Sequence, residues 1–371
     1  MRTSSLLLAG LVLASLAPAQ NDVVHRTDGK VERGVEITEL LLTGVRGKRN
    51  GGKDNFELPA IAVVRVEFGN LPEAFESGRV ALDRGDFAAA TQFFGDVKSD
   101  RQLVKAEAEF FLIKAAVAAA ATDRGAAATA AGRAKKWLTD NPNHLRTPEA
   151  MLLAGRAERL AGTGGAAAAT LRELDERALR ESFGAVWSAR AKFELAMTLL
   201  ADGKAGEARA AFTSAASAAD SALAQPSAAV AELKLLKTNA RVGEGETYVI
   251  EKDFARAESF FNDLANGSDA ALVAVGHAGA GEAIFHMALA SKKGDDFRRA
   301  QITLARASVF DIASDEASAK ANYYLGRCLL ELGSERENDT WKQRANAYFQ
   351  TVVTGYPTSR FAALAKQELA R

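Results

Sequence analysis

The 371-residue chain holds four histidines, His25, His144, His277 and His286, and a single cysteine, Cys328. Glu282 and His286 are four apart and share one face of a helix, a spacing that suits two metal ligands. A metal centre needs further donors, and no His-Glu-x-x-His segment supplies them. The pair is therefore read as making a surface or inter-helix hydrogen bond, and no metal site is assigned. Cys328 lies in the largely apolar stretch 325–332, with His286 its nearest histidine in sequence. It reads as a small buried hydrophobe rather than a nucleophile, and a lone cysteine permits no internal disulfide.

Two glycine-rich stretches, Gly162-Thr163-Gly164-Gly165 and Gly279-Ala280-Gly281, invite a phosphate reading. Neither follows a strand, and neither ends in the Lys-Ser/Thr of a phosphate loop. A turn role suits the first and a close-packing role the second. No paired carboxylates and no Ser-His-Asp arrangement stand out, so no catalytic or cofactor-binding residue is assigned and an enzyme is not expected. Arg46, Lys48, Arg49 and Lys53 form a basic hairpin around Asn50-Gly51-Gly52. Nucleic-acid binding would add stacking aromatics, and Phe56 is the only one nearby. The 47 basic residues are balanced by 47 acidic ones, which removes the electrostatic case for nucleic acid as the main partner. The hairpin reads as a solvated loop, or as a dock for an acidic partner.

The elements that must carry these residues fall into three textures. Arg2, the uncharged apolar run 6–16 and Ala17-Pro18-Ala19 have the form of a secretory signal peptide, residues 1–19, cleaved near Ala19. That run is short of the roughly 20 apolar residues a bilayer requires, and no later run of that length is found. The mature chain is therefore expected in the periplasm or outside the cell, without a transmembrane anchor. Residues 20–70 read as strands. Asp28-Gly29 and Asn50-Gly51-Gly52 are turn signals, 31–42 is strand-like, and within 61–68 Val64, Val66 and Phe68 share one face. These features imply a small antiparallel barrel or curled sheet, SH3-like or Sm-like in size.

From residue 71 to 371 the texture is helical. The chain has 77 alanines, and all but six fall after Leu71. Small side chains at this density suit closely packed helices. One spacing recurs there: a small residue, a turn residue seven further on, Ala after five more, and a large apolar residue after another four. Gly78, Gly85, Ala90 and Phe94 fit it. So do Gly155, Gly162, Ala167 and Leu171, then Ala196, Gly203, Ala208 and Phe212, then Gly245, Lys252, Ala257 and Phe261. This is the pattern of two antiparallel helices crossing closely, with the large residue filling the gap to the next pair. The extra residues of the last units are expected as insertions between paired helices, at 291–296 and 334–339. Residues 359–371 look like a closing helix that buries Phe361, Leu364 and Leu369.

With Tyr323-Tyr324-Leu325-Gly326, Gly333, Ala345, Phe349 and Pro357 in the same order, the helical region resembles the tetratricopeptide repeat (TPR) family, and bacterial envelope members in particular. The resemblance implies a mainly α fold, a TPR-like α-solenoid of about seven antiparallel helix pairs. It also implies a groove lined by the first helices that holds a peptide of a partner protein. Carried onto this chain, the groove positions are Phe75, Arg79 and Asp83, then Leu152, Arg156 and Arg159, then Phe193 and Met197, and finally Tyr323 and Arg327. The family's Lys and Asn carboxylate clamp is not reproduced. The expected function is a non-catalytic protein-binding scaffold or adaptor in the cell envelope. The alternative is a module that binds a cell-wall or extracellular polymer through the β domain.

Overall fold

The computed structural model describes residues 21–181, 183–225, 229–309, 315–334 and 339–371. The expected signal peptide, and most of the expected insertion at 334–339, lie outside the described residues. The chain forms two compact units, one of residues 21–122 and 132–150, the other of residues 123–131 and 151–371.

The first unit opens with β1 (Asp22–Arg26), β2 (Val31–Leu41), β3 (Gly44–Arg49), β4 (Asp54–Pro59) and β5 (Val63–Glu67). All pairings are antiparallel, in the order β4-β3-β2-β1-β5, so the sheet stays open rather than closing into a barrel. Asn50, Gly51 and Gly52 all take positive φ, the conformation for which Asn and Gly are suited at the β3–β4 turn. Val66 and Phe68 are buried as the alternation predicts, but Val64 is half-exposed. The register between β1 and β5 slips there, with His25 opposite Arg65 and Arg26 opposite Val63, so Val64 is the extra residue of a bulge.

The helices α1 (Glu73–Asp83), α2 (Phe87–Gly95) and α3 (Gln102–Ala119) follow. Phe75, Phe94 and Leu112 from these helices share one core with Val24, Val35, Phe56 and Phe68 of the sheet. The change of texture near residue 70 is thus a change of secondary structure within one core. A buried carboxylate fixes the junction. Asp22 accepts hydrogen bonds from the N–H of Ile37 (2.8 Å) and of Gly69 (2.8 Å), and both oxygens are gripped by the Arg101 guanidinium at 2.9 and 2.6 Å. Removing the carboxylate leaves two buried amides and a cation without their acceptor. We expect Asp22→Ala to destabilise this unit by about 2–4 kcal/mol, read as a lower denaturant midpoint.

The end of β2 pairs with the segment ahead of the helix Thr147–Leu160: the Leu42 N–H donates to the Asn143 carbonyl at 2.7 Å and the Leu145 N–H to that of Leu40 at 3.2 Å. This packs His144 edge-on against Trp137, with ring centroids 5.1 Å apart. Burial, with Arg146 nearby, holds the imidazole down at about 4 against the opposing pull of Glu107.

Helices α4 (Arg124–Asp140) and α5 (Thr147–Leu160) each give residues to both units. The second unit continues with α6 (Gly164–Arg180), α7 (Ala185–Ala201), α8 (Ala205–Leu223), α9 (Val230–Ile250), α10 (Phe254–Ala265), α11 (Ala270–Ser291), α12 (Gly294–Ala307), α13 (Asp315–Ser334), α14 (Asp339–Gly355) and α15 (Arg360–Leu369). It is a TPR-like α-solenoid of antiparallel pairs. The recurring spacing is a contact map of these pairs. A Cβ added at Gly155, Gly245 or Gly326 would stand 2.5–2.7 Å from Leu171, Phe261 or Phe349, the large residue of the partner helix. Gly78 meets Phe94 in the same way in the first unit. The turn positions Gly85, Gly162, Gly203 and Lys252 all have positive φ.

The extra residues of the sixth pair are taken up differently from the expectation at 291–296. Helix α11 runs to Ser291 and α12 begins at Gly294, so the link is short and the added length is helical. Lys292 makes the left-handed turn and Gly281 now meets Leu304. The segment Leu272–Ser291 is long and apolar enough to cross a membrane, a property that interspersed Gly, His and Glu hide from a search for unbroken apolar runs. Its apolar character follows from its place inside the stack, against α9, α10, α12 and α13. Helix α15 buries Phe361, Ala362 and Ala365, while Leu364 points outward. Its start is capped by Ser359, whose Oγ accepts from the Phe361 N–H at 3.1 Å.

Candidate functional site

Helices α7, α9, α11 and α13, the first members of successive pairs, line one cavity of about 680 Å3 together with α8 and the start of α15. Phe193, Met197 and Leu200 form one wall and Val275 the other, with Val242 of α9 between them. Ala278 and Ala317 add little bulk, and the space beside Gly243 is taken by the Phe212 ring, 2.6 Å from where a Cβ would stand. Leu235 and Ile250 stand on its rim, 60% and 53% exposed.

One end of this apolar cavity is ionic. Lys320 is buried, and its Nζ pairs with Glu246 and lies 2.6 Å from Glu282 Oε2. Arg360 donates from Nη2 to Glu246 at 2.8 Å, and its Nε lies 3.0 Å from a carboxylate oxygen of Glu316. Behind Lys320 the Tyr324 hydroxyl donates to Glu282 Oε1 at 2.8 Å. Burial would strip Lys320 of its proton, yet Glu246 and Glu282 outweigh it and raise its pKa. Burial would likewise raise Glu246, but Lys320 and Arg360 hold its carboxyl at about 2. The same burial, reinforced by Glu282, raises the Tyr324 phenol, which stays a donor.

These values predict two acid transitions. Glu246 is depressed below its ordinary 4.5, so its contribution is complete above pH 4.5 and is lost as pH falls toward 2. His144 is depressed from 6.5 to about 4, so the unfolded chain takes up the proton first and the fold weakens between pH 6.5 and 4. Each loss is on the order of 3 kcal/mol, in the second and first unit respectively. Stability measured from pH 7 to 2 should fall in these two steps, and His144→Gln should remove the upper one.

Of the residues assigned from sequence, Phe193 and Met197 line this cavity. Phe75, Arg79 and Asp83 come together in the first unit, around a cavity of about 330 Å3 shared with Glu107 and Arg146. Leu152 is buried. The other three arginines each pair with a carboxylate of the chain. Arg156 and Arg159 both donate to Glu194, from Arg156 Nε at 2.8 Å and from Arg159 at 3.2 Å. Arg327 donates to Glu368 at 3.2 Å and to the hydroxyl of Tyr323 at 3.3 Å, and Tyr323 itself packs against Phe349 and Phe361.

In the basic hairpin the two arginines are paired with acids and Lys48 meets an uncharged amide. Arg46 lies between Glu39 (3.5 Å) and Glu57 (3.0 Å), Lys48 donates to Asn55 at 2.7 Å, and Arg49 pairs with Glu32 while lying 4.6 Å above Phe56. Among the described residues Lys53 has no ion pair. Glu282 and His286 meet on Tyr324, with His286 Nε2 3.3 Å from its hydroxyl and the imidazole stacked on Phe254. Among the described residues no group of three or more His, Cys, Asp or Glu is placed to hold a metal. Burial, with Glu331 nearby, pushes the Cys328 thiol up to about 12.

The ionic end was not assigned from sequence. Its signal is a charge set among small residues, Gly281-Glu282-Ala283 and Ala319-Lys320-Ala321, in helices that otherwise bury those positions.

No protein-family model matches the chain, and no curated protein matches it. Among solved structures it is similar to a tetratricopeptide repeat protein from Parabacteroides merdae, with a TM-score of 0.47 and 15% identity over 80% of this chain and 96% of that one. It is also similar to the C-terminal part of a TPR repeat-containing protein from Cytophaga hutchinsonii, with a TM-score of 0.43 and 11% identity over 80% and 99%. A Rap protein complexed with Competence and Sporulation Factor gives 0.42 and 13% over 80% and 75%.

Proposed function

We propose that the chain is an exported, non-catalytic scaffold of the bacterial cell envelope, and that it holds a segment of a partner protein in the cavity of the second unit. The observation that carries this reading is the apolar cavity itself. It is lined by the first helices of successive pairs and rimmed by the water-exposed Leu235 and Ile250. Apolar side chains gathered at an open cleft mark a surface built to be covered. Export rests on Arg2, the apolar run 6–16 and Ala17-Pro18-Ala19.

A photo-crosslinking residue placed at Leu235 in the native envelope tests the scaffold. A discrete adduct that disappears when Met197→Glu is added supports it. Adducts indifferent to Met197→Glu count against the cavity. Sequencing the N-terminus of the protein recovered from the periplasm tests export. A start close to Gln20 is expected, and a cytoplasmic protein that retains residues 1–19 would refute it.

A further inference from the structure

We propose that the outer edge of β5 seats a second copy of this chain, joined by antiparallel strand pairing about a two-fold axis at Val66. β5 ends the sheet order, so along its outer side the backbone N–H and C=O groups meet no strand among the described residues. The cavity of about 330 Å3 in the first unit touches Val64, Arg65, Val66, Glu67 and Phe68 in succession. Successive side chains of a strand point to opposite faces, so a space that reaches five in a row runs along the edge. Ile61 and Val64 stand beside it, 74% and 51% exposed. Apolar side chains at an unpaired edge mark a surface suited to being covered. The opposite edge is guarded: β4 ends in Pro59, which has no N–H to give, and its charged residues Asp54 and Glu57 are both acidic.

Charge selects a second copy as the occupant. Two edges related by a two-fold axis normal to the sheet pair antiparallel, with one residue facing its own counterpart across the axis. Centred on Val66, this register sets Arg65 opposite Glu67 of the second copy, Glu67 opposite Arg65, and Val64 opposite Phe68. Centred on Arg65 or Glu67 it would set like charges together, and centred on Val64 it would set both charges against apolar side chains. Arg65 has donors to spare. Its Nη2 lies 2.7 Å from Glu67 Oε1 and 3.3 Å from His25 Nε2, which leaves Nε and Nη1 to reach across. The bulge at Val64 falls at the end of the register, and Arg65, Val66 and Glu67 pair regularly with β1. Five facing residues span about 17 Å, so the contact is small and the dimer assembles only as concentration rises. It stands independently of the partner cavity in the second unit, which a dimer would present twice.

Sedimentation velocity on the purified protein from about 1 to 300 µM, a range that brackets weak association, is the test. We expect monomer at the low end and dimer at the high end, with nothing larger because a two-fold contact closes on itself. Arg65→Glu and Glu67→Arg should each weaken association by about tenfold or more, since like charges then face each other, while circular dichroism reports an intact fold. An equimolar mixture of the two variants should dimerise again, because each carries the charges that complement the other. Neither chain in that mixture regains an Arg65–Glu67 pair within itself, so the recovery reads the contact between copies. Val64→Lys, at an exposed position, should weaken association with both charges in place. A monomer throughout the range, assemblies larger than a dimer, a dimer that all three substitutions leave intact, or a mixture no tighter than its separate variants overturns the inference. None of these outcomes touches the crosslink at Leu235, which tests the scaffold reading separately.

Discussion

Replacing Lys320 by methionine is expected to lower the stability of the second unit by about 3–5 kcal/mol, the cost of stranding buried carboxylates without their cation. Methionine keeps most of the side chain's length and apolar stem, so packing is little changed and the effect isolates the charge. Glu246 retains Arg360, but among the described residues Glu282 retains only the Tyr324 hydroxyl. At roughly 2–4 °C per kcal/mol for a unit of this size, the melting temperature should drop by about 10 °C. Two companion variants make the mechanism checkable. Adding Glu282→Gln to Lys320→Met should recover part of the loss, because a neutral amide needs no counter-charge. Lys320→Met alone should also move the lower acid transition upward, since the cation that holds Glu246 at about 2 is gone. A loss unaffected by Glu282→Gln would show that Lys320 matters through packing instead.

Phe261→Ala is expected to cost about 3–5 kcal/mol. The ring is fully buried, and glycines on two flanking helices make way for it: a Cβ at Gly245 of α9 or at Gly279 of α11 would stand 2.5 Å from it. With the ring gone, neither glycine has a side chain to close the void. Conversely, Gly245→Ala drives a methyl group into the ring and should cost about 1–3 kcal/mol. The two substitutions should not add. In the double variant the new methyl group enters the vacated space, so the combined loss should fall below the sum by at least about 1 kcal/mol. A denaturant double-mutant cycle measures this, and strict additivity would place the ring elsewhere.

What the sequence made legible follows from the range over which each interaction acts. The Gly245–Phe261 and Gly326–Phe349 contacts lie within one helical hairpin, and hairpin geometry is nearly constant, so spacing alone located them. The turn at Lys252 was found for the same reason. Val64 was misplaced because a bulge shifts the two-residue period without leaving a mark in composition. The ionic end joins Glu246 to Lys320 across 74 positions and to Arg360 across 114, and no local period links them. Arg156, Arg159 and Arg327 were placed on the right helices, yet their partners lie a repeat further along, where a single-unit alignment does not look.

Those partners form a series. Arg156 reaches Glu194 at 38 residues, Arg190 reaches Glu232 at 42, Arg209 reaches Glu251 at 42 and Arg327 reaches Glu368 at 41. Each bridge therefore joins one helix pair to the element that follows it. Deleting α15 would therefore take from Arg327 its partner on the neighbouring element and leave it Glu331, one turn along its own helix.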